Sequence, residues 1–235
     1  MLLLANRQDF RLQSMLDRSQ LRQFLKFRVK IPSFDTSNDS STTLFPNNTY
    51  IATGLFKVTI HMVSSLDGII AKRDNSVSWF DTSDNYDKGV SGQNPEEFLK
   101  TIDCYVMGSR TYEHALELSK SYGWAYGDTP TIVTTNRSLP IQRKNISFYS
   151  GDINKLVNER LRPNYNNVWV VGGAELAKDF IRLKLADEIR LSILPIILGE
   201  GIIFLDQIGQ EQALHLKDAT AYKTGMVELC YEIRK

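Results

Sequence analysis

The chain has 235 residues, 42% of them hydrophobic and 23% charged, with a formal net charge of +1. That length supports one good core or two small domains, and the near-neutral charge gives no bulk attraction to nucleic acid or an anionic membrane. No run of about 18 apolar residues occurs, so no membrane-spanning helix is expected.

Residues 1–30 are basic, with Arg7, Arg11, Arg18, Arg22, Lys26, Arg28 and Lys30 against Asp9 and Asp17. Apolar residues from Leu12 to Leu25 are interleaved with them. The stretch reads as an extension without a role in the chemistry, as an amphipathic helix, or as an organelle-targeting segment. Residues 33–49, rich in Ser, Thr, Asn, Asp and Pro, bury little apolar surface and read as a linker. The boundary is placed so that 1–56 is an N-terminal extension and 57–235 is the folded domain.

From Lys57 strand and helix signals alternate. Lys57 to Ser65 is a β-branched strand that ends at Leu66-Asp67-Gly68. Pro95 to Thr101 predicts a short helix. Cys104 to Met107 is a buried strand stopped by Gly108, and Thr111 to Ser119 a helix. Thr131 to Thr134 and Ile146 to Tyr149 are short strands, followed by a helix from a cap at Asp152 to Leu161. Asn167 to Val171 is a strand that runs into Gly172-Gly173. The next helix, Ala174 to Leu183, places Leu176, Phe180, Ile181 and Leu183 on one face. Glu188 to Leu194 is a strand closed by Pro195, and two last strands flank Thr224-Gly225 as a hairpin.

Such alternation argues for a mostly parallel sheet covered on both faces, with an antiparallel hairpin at the end: an α/β, three-layer αβα sandwich. Ligands of such sheets bind outside the carboxyl ends of the strands. Four segments share that rim: Ser64 to Gly68, Gly108-Ser109-Arg110-Thr111, Thr134-Thr135-Asn136-Arg137, and Gly172-Gly173-Ala174-Glu175. Helix starts, hydroxyls and guanidinium groups are what the phosphates of a dinucleotide require. Thr134, Thr135 and Arg137 suit a ribose 2′-phosphate, and so NADP over NAD. Each segment alone also reads as a tight turn, a helix cap or a polar loop. Asp67 reads either as the cap of its own turn or as a group facing the cofactor.

The chain lacks G-x-G-x-x-G, the phosphate-loop motif and the G-x-S-x-G elbow. His61, His114 and His215 have no companions at metal-ligand spacing, so no metal is expected. Cys104 and Cys230 each stand in an apolar run and read as buried free thiols of a reducing compartment, with a disulfide as the alternative; the expected location is the cytoplasm, or an organelle if residues 1–30 are a targeting segment. Trp79, Phe80, Trp124 and Tyr126 are candidates for the walls of a flat pocket, or for core aromatics.

Four strings in order carry a family likeness. They are Ser64-Ser65-Leu66-Asp67-Gly68-Ile69-Ile70-Ala71 with Trp79, Met107-Gly108-Ser109-Arg110-Thr111-Tyr112-Glu113, Val170-Val171-Gly172-Gly173-Ala174-Glu175-Leu176, and Ala186-Asp187-Glu188-Ile189 with Leu194 to Phe204. Over residues 57–235 the chain resembles the dihydrofolate reductase-like family. It is most similar to the C-terminal reductase domain of riboflavin-biosynthesis enzymes and their stand-alone relatives. The resemblance implies an NADPH-dependent reductase that passes hydride to a small pyrimidine- or pterin-like substrate. By carry-over, Gly108, Ser109, Arg110 and Thr111 hold cofactor phosphates. Thr134, Thr135 and Arg137 lie near the adenosine ribose, and Gly172, Gly173, Ala174 and Glu175 wrap the pyrophosphate and nicotinamide side. Asp67 is the implied catalytic residue, with Ser65 and Trp79 on the substrate side. Relatives are often dimers, which makes the apolar Leu191 to Phe204 region the expected homodimer face.

The chain also departs from the family pattern. Ser109 stands where an Arg is usual, with Arg110 one place later. Asn94 replaces the acid that true dihydrofolate reductases carry four positions before a helix Phe. The basic, proline-containing segment that binds substrate phosphate in riboflavin reductases has no counterpart between Leu116 and Tyr126. These departures leave two alternatives beside the reductase of riboflavin-pathway type: a nucleotide-binding module without turnover, and a true dihydrofolate reductase.

Overall fold

The structure is a computed structural model that describes residues 56–82, 99–222 and 225–235. The extension and linker expected before Phe56, most of the helix expected over 95–101, and Thr224 of the hairpin turn lie outside the described residues.

The central sheet has eight strands in the order β5-β4-β3-β6-β1-β7-β10-β9. They are β1 (Lys57–Ser65), β3 (Cys104–Gly108), β4 (Thr131–Thr134), β5 (Ile146–Tyr149), β6 (Asn167–Gly172), β7 (Glu188–Leu194), β9 (Leu214–Ala221) and β10 (Val227–Ile233). The pairings from β5 across to β7 are parallel, and β7–β10 and β10–β9 are antiparallel. The short β2 (Ile69–Ala71) and β8 (Ile202–Ile203) pair antiparallel as a separate ribbon. Neither is visible in the sequence pattern, because strands so short show no alternation.

Among the described residues, the helices that cover the sheet include α1 (Ser109–Tyr122), α2 (Ile153–Lys155, continuing in π geometry as Leu156–Leu161) and α3 (Ala174–Arg182). Asp152 caps α2 by accepting a hydrogen bond from Lys155 N at 3.0 Å. Period-two alternation divides the strands between two cores. Val58, Ile60, Val106, Val168 and Val170 face Leu156, Val157, Phe180 and Ile181 of α2 and α3. Tyr105, Met107, Val133 and Trp169 face the opposite way, against Tyr112 and Ala115 of α1. Fully burying each large side chain contributes roughly 1.5–3 kcal/mol, so these two layers hold the sheet flat between its helices.

The second face is apolar through β6 and mixed beyond it, where Val63 and Leu194 pack with Met226. From β1 onward the same face carries Thr59, His61, Glu188, Arg190, Ser192 and Glu228, which are in register across β1, β7 and β10. Glu188 there is almost fully buried yet accepts Lys57 Nζ at 2.7 Å and Lys217 Nζ at 2.8 Å. Burial works against its ionisation, but the lysine hydrogen bonds and the charges of Lys57 and Arg190 outweigh it and hold the carboxyl at about 2.

Candidate active site

Strand β3 leads through α1 away to β4, whereas β6, its neighbour, leads through α3 in the other direction to β7. The helices also pack on opposite faces. The carboxyl ends of β3 and β6 are therefore a point where the connections diverge, and such points open crevices in parallel sheets. A cavity of about 1030 Å3 lies there.

Its first wall is built from both helix starts. A Cβ on Gly108 would lie 3.7 Å from Gly173 N, so the two turns are in contact. Gly108 caps α1 and Gly173 caps α3, and neither helix has a capping side chain. The first-turn N–H groups of both helices are left for something in the cavity, and aligned peptide dipoles favour an anion there by about 0.3–1 kcal/mol. Gly172 has φ +130° and joins Gly173 through a cis peptide bond. A side chain there would meet Met62 Cε at 3.2 Å. Ser109, Arg110, Thr111, Thr134, Thr135, Asn136, Ala174 and Glu175 also line this end. Thr135 Oγ1 accepts Arg137 N at 3.0 Å. Glu175 is held by Lys178, which reaches Asp206 Oδ1 at 2.7 Å as well.

The second wall follows from how β1 is paired. Its ladder with β6 ends at Ile60–Val170, while its ladder with β7 continues to Ser65–Leu194. Past Ile60 the strand parts from β6, and His61, Met62 and Val63 line the gap. His61 stacks on Trp169 with centroids 5.1 Å apart, and Trp169 Nε1 donates to His61 O at 3.3 Å. His61 Nε2 lies 3.3 Å from Ser192 Oγ, and Ser192 Oγ donates to Glu228 Oε2 at 3.3 Å. Burial, then the charge of Arg190, lowers His61 from 6.5 to about 4, against a smaller opposing pull from Glu188, so it is a neutral imidazole at pH 7. Glu228 moves the opposite way: burial pushes its carboxyl up, against Arg190 and Ser192. Phe80, Tyr126 and Met226 complete an aromatic and apolar enclosure.

The sequence-derived residues thus divide. Gly108, Ser109, Arg110, Thr111, Thr134, Thr135, Gly172, Gly173, Ala174 and Glu175 come together on one wall. Arg137 does not line the cavity; its guanidinium is paired with Glu113 Oε2 at 2.6 Å. Asp67, Ser65 and Trp79 are not on the cavity wall either. Ser65 Oγ donates to Asp67 Oδ1 at 2.6 Å, and Asp67 accepts Leu198 N at 3.1 Å and Gly199 N at 2.7 Å. The hydrogen bond from Ser65, then those from Gly199 and Leu198, hold the Asp67 carboxyl at about 2, so it is an anion that braces the 195–201 loop and has no proton to give at neutral pH. The physical reason is register: the end of β1 is tied to β7, which carries Ser65 and Asp67 past the cavity. Trp79 is buried against Leu194, Tyr222 and Met226, and its neighbour Phe80, edge-on at 4.5 Å, is the ring at the cavity. His61, Met62, Ser192 and Glu228 were not among the sequence candidates. Period-two alternation places His61 in phase with Thr59 and Val63, but only strand order brings Ser192 and Glu228 beside it.

A family model described as the RibD C-terminal domain matches residues 56–228. The chain belongs to the RibD C-terminal domain family. Membership points to a reductase-type enzyme. Among relatives, the uncharacterized protein YwjB of Bacillus subtilis (strain 168) is 30% identical over 161 residues, 68% of this chain and 89% of YwjB. The uncharacterized protein YyaP of the same organism is 25% identical over 184 residues, 74% of this chain and 94% of YyaP. A crystal structure of a putative riboflavin biosynthesis protein from Shewanella sp. PV-4 superposes with a TM-score of 0.67 at 18% identity, covering 77% of this chain and 100% of that one, which establishes the shared fold. Among the described residues no group of His, Cys, Asp and Glu is arranged to hold a metal ion, and no helix is long and apolar enough to cross a membrane.

Proposed function

We propose that this member of the RibD C-terminal domain family is an NADPH-dependent reductase of a small nitrogen heterocycle. One observation carries the reading: two helix N-termini without side-chain caps, those of α1 and α3, open side by side onto one cavity whose other wall is aromatic and acidic. The residues fit a dinucleotide. Gly172, with φ +130° and no side chain, presents bare backbone to the cavity beside Met62. The N–H groups of α1 and α3 suit phosphates, Arg110 adds the positive charge, and the hydroxyls of Thr111, Thr134 and Thr135 suit sugar and phosphate oxygens.

When bound, such a cofactor supplies a hydride. The protein's part is to hold it and to exclude water. Trp169, Tyr126 and Phe80 form walls against which a flat ring stacks. Proton supply falls to the groups that face this cavity. Asp67 is read as a positioning residue that fixes the loop after β7.

The experiment is consumption of NADPH against a panel of pyrimidine, pterin and quinonoid substrates. The panel includes 5-amino-6-(5-phosphoribosylamino)uracil, the substrate expected of the riboflavin-pathway type, and dihydrofolate. Turnover of a heterocycle supports the reading. Tight NADPH binding with no turnover across the panel replaces it with a nucleotide-binding module, and turnover of dihydrofolate alone replaces it with a folate reductase.

A further inference from the structure

The polar half of the sheet face is built like a site, and the dinucleotide reading leaves it unused. His61 on β1, Ser192 on β7 and Glu228 on β10 form a row across three strands, and all three line the cavity. The row is fixed by register: Ser192 pairs with Glu228 on one side and with Val63, two residues past His61, on the other. Ser192 Oγ donates to Glu228 Oε2, so its own lone pairs are free to accept from His61 Nε2, and the neutral imidazole carries the proton there. One hydroxyl therefore aims at the carboxyl in a single sense.

Charge compensation is uneven along this face. Glu188 takes Lys57, Lys217 and the Nε of Arg190 at 2.7, 2.8 and 3.1 Å. Among the described residues, Glu228 takes the far end of Arg190, at 3.4 Å, and Ser192. Other charges facing it do not help. Asp218 of β9 raises its pKa further, and Tyr222 beyond that strand is a neutral phenol whose own pKa is pushed up to about 12. A carboxyl that is desolvated, lightly paired and open to a cavity holds its proton more readily than an exposed one and is placed to hand it to a bound ligand.

We infer that Glu228 is the catalytic acid of the reductase proposed above: it meets the N–H edge of the substrate's heterocycle and protonates the ring nitrogen, with Ser192 and His61 as its positioning residues. The inference rests on that reading. The step balances. Hydride addition to the carbon of a C=N bond moves the π pair onto nitrogen, and that pair takes the Glu228 proton to form N–H. The substrate gains two electrons, whose source is a dihydronicotinamide, and Glu228 is left as a carboxylate that recovers its proton from water. A carboxyl suits this edge because it donates from one oxygen and accepts N–H at the other. The implied substrate is a flat ring with an acceptor ring nitrogen beside an N–H donor.

The test separates this from the parent reading. A 2,4-diaminopyrimidine, which presents such an edge, is titrated calorimetrically into the full chain without cofactor between about pH 5 and about pH 9, on the order of two units either side of neutrality. The wild type binds with a pH-dependent Kd. Glu228→Gln weakens binding by roughly 10- to 100-fold, as expected for one charged hydrogen bond, and flattens the pH dependence. Ser192→Ala, which keeps the carboxyl, displaces the pH dependence along the axis. In turnover, Glu228→Gln lowers kcat and removes the acid limb of its pH profile while NADPH affinity stays unchanged. Glu228→Asp, should the amide variant not fold, retains the limb at a lower rate. Failure of the wild type to bind the probe, or equal Kd and equal pH profile in wild type and Glu228 variants, overturns the inference. Turnover by the wild type in that second case leaves the reductase reading standing, whereas absence of NADPH binding removes the reading itself.

Discussion

Gly172 and the Met62 methyl group are tightly apposed: a Cβ at Gly172 would lie 3.2 Å from Met62 Cε, on a backbone at φ +130°. That contact fixes the floor between the two helix starts. Gly172→Ala places an L side chain in a region that costs about 1–3 kcal/mol and must also displace Met62. The expected outcome is a lower Tm together with weaker dinucleotide binding, read by thermal unfolding and by NADPH titration. An alanine variant with unchanged Tm contradicts the assignment.

Arg110 and Arg137 are separable. Arg110 lines the cavity, whereas Arg137 is engaged with Glu113 at 2.6 Å. If Arg110 reads the 2′-phosphate, Arg110→Ala weakens NADPH by roughly 10-fold or more, as for loss of a charge-assisted contact, and NADH much less. Arg137→Ala changes both affinities little. Fluorescence titration of the two cofactors with the two variants decides the assignment. Equal losses of NADPH and NADH in Arg110→Ala exclude it.

Asp67 ties the end of β1 to the loop after β7 through Leu198 N and Gly199 N. Its folded pKa, about 2, lies below its ordinary 3.8. Folding is therefore favoured by this group above 3.8, and that contribution falls away as pH drops through about 2. Hydrogen exchange at Leu198 and Gly199 is expected to stay slow at pH 4 in the wild type and to become fast in Asp67→Ala at every pH. Dinucleotide affinity is expected to be preserved in that variant, because Asp67 is not on the cavity wall.

His61 acts on acid stability in the same sense as Asp67, over a higher pH window. Its folded pKa of about 4 lies below its ordinary 6.5, so the unfolded chain binds the extra proton between those values. Stability is complete above 6.5 and declines as pH falls toward 4, by up to about 3 kcal/mol at 1.36 kcal/mol per unit. His61→Gln keeps a donor toward Ser192 and has nothing to titrate. Denaturant melts at pH 7 and pH 4.5 are expected to show a smaller acid loss in the variant than in the wild type, the pH values being chosen as roughly the ends of that window. Parallel losses in both proteins exclude the linkage.

The sequence determined most strands of the central sheet and the helices that follow them. Alternation and strand-stopping glycines placed β1, β3, β6 and β7 within a residue of their observed ends, and the hydroxyl, Arg110 and diglycine segments at strand ends come together on one wall of the cavity. These signals are local: a glycine, a hydroxyl or an apolar period acts on its own turn of chain. What only the tertiary structure decided is the other wall. The family resemblance implied Asp67 beside the substrate, and its own turn also allowed a cap; the ladder of β1 with β7 carries it past the cavity wall to accept from Leu198 N and Gly199 N. His61, Ser192 and Glu228 are separated by 131 and 36 residues. They become neighbours only because β7 and β10 line up beside β1 in the sheet order. Strand order and register are set by burial of whole faces, a long-range property, and so the residues that depend on them carry no local mark.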